Sequence, residues 1–122
     1  MALVAMAVAA VAAEPLWREE HPASVSVESS RACLVASHFD VTAWDARRSG
    51  GYVDVLEVAT GSHEFLVRVH VADTEDDARD AADFLALDSR RIERQGTVVY
   101  QWGLASADQR RAIHQCIDGS RR

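Results

Sequence analysis

Residues 63–71 alternate between apolar and polar positions with few exceptions, which is the two-residue period of a half-buried β-strand. The alternation assigns one set of side chains to each face: Phe65, Val67, Val69 and Val71 against Glu64, Leu66, Arg68 and His70. A second apolar run covers residues 52–60 and is joined to the first by a short turn at Gly61. The two runs predict a β-hairpin.

Weaker strand patterns flank this hairpin. Residues 41–46 alternate briefly before a Ser-Gly-Gly turn, and residues 92–102 return to strand character. A Gln-Gly pair inside the second segment can divide it into another hairpin. Within residues 52–60 the apolar positions that would face inward change from odd numbers, Val53 and Val55, to even numbers, Leu56 and Val58. This change predicts either a β-bulge or burial of both faces.

Two segments carry helix start signals that are followed by apolar residues at helical spacing. Residues 74–77 read Thr-Glu-Asp-Asp, a capping pattern, and the stripe at i, i+3, i+4 and i+7 that follows is Ala78, Ala81, Ala82 and Leu85. Residues 106–109 read Ser-Ala-Asp-Gln, and Gly119 is placed to end the helix after them. We expect the first helix to end near residue 87 and the second to bury Cys116.

Residues 30–39 are compatible with a third helix, which would turn Cys33 inward. In chain order the elements predict an α+β fold, roughly α-β-β-β-α-β-α, with a small antiparallel sheet of roughly 3–5 strands and two or three helices packed on one face. A length of 122 residues suits one domain, because two would each be too small to bury a sufficient core. We place it at residues 29–119, between an irregular arm at 14–28 and a short tail at 120–122.

Residues 1–13 contain no charged residue and are mostly alanine and valine. Their length and the Ala-Val-Ala sequence at 10–12 are typical of a secretory signal peptide, although the basic residues expected before such a segment are missing. The segment is too short to span a bilayer, so we expect no stable membrane span. We favour export to the cell envelope or medium. A retained apolar element in a cytoplasmic protein is the alternative.

The two cysteines, Cys33 and Cys116, are far apart in the chain. In an exported small domain an even cysteine count predicts a disulfide. Closing so long a loop contributes about 4–5 kcal/mol in the chain-entropy description. Two unrelated buried thiols are the alternative in a reducing cytosol.

The formal net charge is -6, from 13 basic and 19 acidic residues. This balance argues against nucleic acid and anionic membranes as primary partners, since both attract clustered positive charge. Many of the acids lie in and around the first capped helix: Asp73, Glu75, Asp76, Asp77, Asp80 and Asp83. We interpret them as complements to the helix dipole and solvated surface. Attraction of a cation or a basic partner is the alternative, and calcium-loop spacing is absent.

The sequence lacks the usual catalytic and cofactor motifs: the nucleophile elbow, the phosphate-binding glycine loop, the helical zinc motif and the paired-cysteine motif. We therefore name no catalytic, cofactor-binding or metal-binding residue and expect no cofactor. Pairing of imidazoles with nearby carboxylates suits acid–base or metal chemistry only in part, because zinc needs three or four convergent ligands. The candidate polar residues are His38, Asp40, His70, Asp73 and His114.

One face of the sheet is a possible interface, because several large apolar residues fall on the strands: Trp44, Tyr52, Leu66, Tyr100 and Trp102. Burial under the helices or the arm is the alternative. Function is not readable from these patterns alone. They favour a small exported, non-enzymatic domain that binds a protein or small ligand. A small enzyme or metal-binding protein that uses the His and Asp pairs, and a cytosolic homodimer, are the alternatives.

Overall fold

A computed structural model describes residues 25–45 and 53–121 of the chain. The predicted leader, most of the arm and Tyr52 lie outside the described residues. Within the described part there are three helices and five strands: α1 Val27–Ala36, β1 Asp40–Asp45, β2 Val53–Ala59, β3 Phe65–Ala72, α2 Glu75–Ala86, β4 Ile92–Gln95, β5 Val98–Trp102 and α3 Ala107–Asp118. The α+β fold and its element order are confirmed, with residues 92–102 divided into two strands.

The strands form one antiparallel sheet in the order β1-β2-β3-β5-β4. The predicted hairpin is β2–β3, and the sheet is built outward from it. The β4–β5 hairpin turns through Gly96 and Thr97, where Gly96 has a φ of 61°. Glycine adopts this left-handed conformation without a steric penalty, which is why the Gln-Gly pair divides the segment.

The two faces of the sheet are covered by different helices. On the first, which we call the helix-pair face, α1 and α3 contribute Leu34, Ile113 and Ile117 to the main core. The strand side chains on this face are Leu56, Val58, Val67, Val69, Val71, Val98, Tyr100 and Trp102. On the second, the α2 face, Ala78 packs against a smaller cluster formed by Val55, Ala72 and Val99. The expectation that all helices share one face is therefore wrong. Because the strands place apolar side chains on both faces of the sheet, both faces need helices to remove those side chains from water.

A β-bulge changes the alternation at the start of β3. Val58 pairs with Val67 and Ala59 with Phe65, so Leu66 is the extra residue. As a result Leu66 and Val67 are both buried in the main core, although they are consecutive. Phe65 turns to the α2 face, where its ring centroid is 5.5 Å from the Arg68 guanidinium carbon. The predicted assignment of Phe65 and Leu66 to faces is thus reversed.

The disulfide predicted between Cys33 and Cys116 is present, with a Cα–Cα distance of 5.5 Å, and it joins α1 to α3. Helix α1 starts earlier than expected because the Ser26 side chain caps it by accepting a hydrogen bond from the Ser29 amide. Ser30 and Leu34 are the buried residues of this helix, whereas Cys33 is exposed instead of turned inward.

Packed structure also reaches into both segments that we assigned to the arm and the tail. Val25 forms an isolated antiparallel bridge with Arg121, and the Ser26 amide donates to the Ser120 carbonyl at 2.9 Å. Val25 is buried and belongs to the main core.

The two predicted capped helices begin as expected. The Thr74 hydroxyl accepts a hydrogen bond from the Asp77 amide, and Ser106 and Gln109 form a reciprocal capping box. Of the helices described, none has the length and apolar character needed to cross a membrane.

Candidate functional site

Helix α2 covers only part of its face of the sheet. It packs over β3, β5 and β4, which leaves the part formed by β1 and the adjoining end of β2 and β3 accessible. Trp44 on β1 is 41% exposed there, although tryptophan is highly buried on average in folded proteins. We call this surface the open face and define it by Thr42, Trp44, Glu57, Phe65 and Arg68.

A groove of about 370 Å³ runs along the open face. Its lining combines two carboxylates, an imidazole, a hydroxyl and apolar side chains: Asp40, Val41, Thr42, Glu57, Ala59, His63 and Phe65. None of these residues is buried, and Asp40, Thr42 and His63 are exposed. The groove is therefore shallow and open to solvent.

The polar side chains of the open face are ordered by strand register. Thr42 lies opposite Glu57, and Glu57 lies opposite Arg68, so the three form a row across β1, β2 and β3. Arg68 Nε donates to Glu57 Oε1 at 2.9 Å, with the two side chains 45% and 33% exposed. An ion pair this exposed contributes at most about 1 kcal/mol. The guanidinium carbon of the same arginine lies 5.5 Å from the centroid of the Phe65 ring.

His70, a candidate from the sequence, lies in the next row of the α2 face and is partly buried. Burial lowers the pKa of His70 and the Arg68 charge lowers it further, while the neighbouring Gln101 side chain opposes the shift. His70 Nε2 and Gln101 Oε1 are both buried without a hydrogen-bond partner among the described residues. The lowered pKa favours the neutral imidazole at neutral pH, and His70 does not line the groove.

The other candidates from the His and Asp pairs, His38, Asp40 and Asp73, lie in different parts of the structure and do not form one site. His38 has a φ of 70° and lies two residues after the end of α1, where its amide donates to the Val35 carbonyl. Asp40 begins β1 and lines the groove, which His38 does not. Asp73 is an exposed residue in the connection between β3 and α2.

His114 belongs to a separate cluster on the helix-pair face, beside the edge strand β4. Its Nε2 lies 3.3 Å from Glu93 Oε1, and the Trp102 indole nitrogen donates to the same oxygen at 2.8 Å. Gln95 Nε2 donates to the other Glu93 oxygen at 2.8 Å. Glu93 is not among the sequence candidates, since nothing local in β4 indicates that it faces Trp102 and His114.

Aromatic rings complete this cluster. Tyr100 and Trp102 stack with centroids 5.3 Å apart, and His114 is tilted against both rings at 4.6 and 5.2 Å. The Arg110 guanidinium carbon lies 4.8 Å from the Trp102 ring centroid. Burial raises the pKa of Tyr100, with the Asp118 charge acting in the same direction, so its hydroxyl stays neutral. The arrangement is a packed cluster in which one carboxylate is already engaged by three partners.

The predicted interface residues are thus divided between environments. Leu66, Tyr100 and Trp102 are buried on the helix-pair face, so for them the alternative, burial beneath the helices, is what the structure shows. The bulge explains Leu66, and the register of β5 with β3 explains the two aromatic residues. Trp44 is exposed, and Tyr52 lies outside the described residues.

His114 and Cys116 are both on α3, and Cys33 on α1 lies next to Cys116. The sulfur atoms of Cys33 and Cys116 are bonded to each other, so neither is a thiolate available to zinc. Across residues 25–45 and 53–121, no three His, Cys, Asp or Glu side chains are grouped so that they could hold a metal ion.

Comparison with known proteins gives no relative: no family model, no curated protein and no solved structure matches the chain. Its function therefore has to be argued from the surfaces described above.

Proposed function

We propose that this protein is an exported or cell-envelope domain that binds a partner protein on its open face and does not catalyse a reaction. The observation that carries the proposal is the exposure of Trp44 on the part of the sheet that α2 leaves uncovered. An accessible tryptophan on a sheet face that also carries an arginine and a phenylalanine is typical of a binding surface.

The shape of the open face favours a protein over a small molecule. Small-molecule sites are concave and bury most of their ligand's surface. Here the groove is lined by exposed and half-buried side chains, so a small ligand would stay largely in water. Trp44 and Arg68 are of the residue types that most often dominate the binding energy of protein interfaces.

Two observations support export. The uncharged segment at residues 1–13 has the length, the apolar composition and the Ala-Val-Ala sequence that are typical of a signal peptide. A disulfide such as the one between Cys33 and Cys116 is typical of proteins in oxidising compartments, because cytosolic thiols are kept reduced.

Export is tested on protein purified from its native cell by intact mass, with and without reductant before alkylation. We expect a mass that lacks the N-terminal apolar segment and no alkylation until the disulfide is reduced. Full-length protein in the cytosol with two alkylated cysteines would contradict export and would favour the cytoplasmic alternatives.

Binding is tested with a photo-crosslinking amino acid at Thr42, which lies on the open face without being its aromatic anchor. We expect crosslinks to a partner protein that weaken at least about tenfold in Trp44→Ala and Arg68→Glu, as for residues that dominate an interface. Val35→Ser is the matched control, because Val35 is 52% exposed and lies on α1, over the other face of the sheet. A crosslinked product unaffected by either open-face substitution would refute this site. Crosslinks between two copies of the chain would identify a homodimer instead.

A further inference from the structure

Helix α2 has two stripes at the same helical spacing. The inner stripe packs on the sheet and consists of Ala78, Ala81, Ala82 and Leu85. The outer stripe, at the equivalent positions i, i+3, i+4 and i+7, consists of Asp80, Asp83 and Phe84 in the helix and Leu87, its C-cap residue. Phe84 is 71% exposed and Leu87 is 79% exposed. Two large apolar side chains that are neighbours on one helix and almost fully in water form a patch that the fold itself does not need.

Carboxylates border this apolar pair. Helix α2 contains five acids and one arginine, and that arginine, Arg79, is paired with Asp76 at 3.3 Å. Asp80 and Asp83 are exposed, and neither makes an ion pair or hydrogen bond with any described residue. Each lies four residues before one of the apolar side chains, so each carboxylate is adjacent to Phe84 or Leu87 on the helix surface.

We propose that the outer stripe of α2 is a docking surface for a basic amphipathic segment of another protein. Apolar side chains of that segment would cover Phe84 and Leu87, and its lysine or arginine side chains would pair with Asp80 and Asp83. The carboxylates favour a partner with positive charge. Because ion pairs in water contribute little binding energy, most of it would come from burying Phe84 and Leu87.

The same charges argue against other occupants. A symmetric dimer would place this surface against itself and bring the carboxylates of Asp80 and Asp83 against their own copies. Such like-charge contacts are unfavourable in an interface. Anionic lipid and nucleic acid are repelled for the same reason.

This docking surface goes beyond the proposed function, because it shares no residue with the open face. The two surfaces are separable by substitution, and either can be correct without the other.

The test uses the full chain and NMR amide shifts during titration with three synthetic peptides of equal length. The first is an amphipathic Leu/Lys helix, the second has the same pattern with Glu in place of Lys, and the third keeps the Lys residues but has Ser in place of Leu. We expect saturable shifts confined to the outer face of α2 with the Leu/Lys peptide alone. The Kd should rise several-fold with added salt, since the screening length shortens.

Two double variants separate the contributions. Phe84→Ser with Leu87→Ser should raise the Kd at least about tenfold, as expected for central apolar contacts. Asp80→Asn with Asp83→Asn should weaken binding less and remove most of the salt dependence. Val35→Ser is again the control for loss of an exposed apolar group on another helix, and it should bind like the wild type.

Three results of the titrations would overturn the proposal. They are shifts that map to Trp44 and Arg68 instead of α2, equal binding of the Leu/Glu peptide, and an unchanged Kd in the variant that lacks Phe84 and Leu87. A dimeric mass of the wild type in sedimentation, with a monomeric mass of the variant that lacks Phe84 and Leu87, would also overturn it. That result would show that a second copy of the chain occupies the stripe.

Discussion

The phenyl ring of Phe65 lies directly against the backbone of Gly103. A Cβ atom built at Gly103 would meet the ring Cδ2 at 2.6 Å and the Phe65 carbonyl oxygen at 2.8 Å. The Gly103 amide donates to the Leu66 carbonyl at 2.7 Å, so the two segments cannot separate without breaking a hydrogen bond. Phe65 is one of the residues that line the groove of the open face, and the contact exists because the bulge at Leu66 turns Phe65 to that side.

Gly103→Ala should therefore lower the free energy of unfolding by about 1–3 kcal/mol, because one of the colliding atoms is backbone and cannot move as a side chain can. Chemical denaturation measures the change. Gly61→Ala is the matched control, since nothing lies within 4 Å of its added Cβ, and we expect a change within about 0.5 kcal/mol. Equal effects of the two substitutions would show that Phe65 does not require the space at Gly103.

The disulfide should contribute a large part of the stability of this small domain. Cys33 and Cys116 are 83 residues apart in sequence, and constraining a loop of that length in the unfolded chain is worth about 4–5 kcal/mol. We expect Cys33→Ser with Cys116→Ser to lower the unfolding free energy by up to about that amount. Reductant should destabilise the wild type and leave the double variant unchanged. A wild type that is indifferent to reductant would contradict this account.

His70 should make stability depend on pH. Its pKa is lowered in the folded state by burial, so the unfolded chain binds the proton more tightly. The contribution is fully present above the ordinary histidine pKa of 6.5 and is lost as pH falls below that value. Denaturation at pH 7.5 and 5.5 should show a decrease in stability at the lower pH. His70→Gln should reduce the decrease, whereas the exposed control His38→Gln should retain it.

Glu93 should be a structural acceptor for the aromatic cluster. Glu93→Ala removes the only described acceptor of the Trp102 indole N–H, whose residue is 6% exposed, and should cost about 1–3 kcal/mol. Glu93→Gln keeps a carbonyl oxygen at that position and should cost less. Thermal and chemical unfolding of both variants measures the difference. Equal losses in the two would indicate that the negative charge, and not the hydrogen bond, is what the cluster needs.

The local part of this fold is readable in the sequence because its signals are local. The capping residues Thr74 and Ser106 act within one helical turn, and the apolar stripe after Thr74 repeats at the helical period. The hairpin β2–β3 follows from alternation on both sides of a short turn. The cysteine count predicted the disulfide, although it could not supply the register of α1 that leaves Cys33 exposed.

Local patterns in the sequence thus predicted the class of the fold, its element order and the disulfide between its first and last helices. Which face each helix covers, the bulge that exchanges Phe65 and Leu66, and the meeting of Glu93 with His114 were decided only in the tertiary structure. The physical reason is that these features depend on pairing between strands distant in the chain, where one step of register moves a side chain to the other face. The open face around Trp44 is a product of that register.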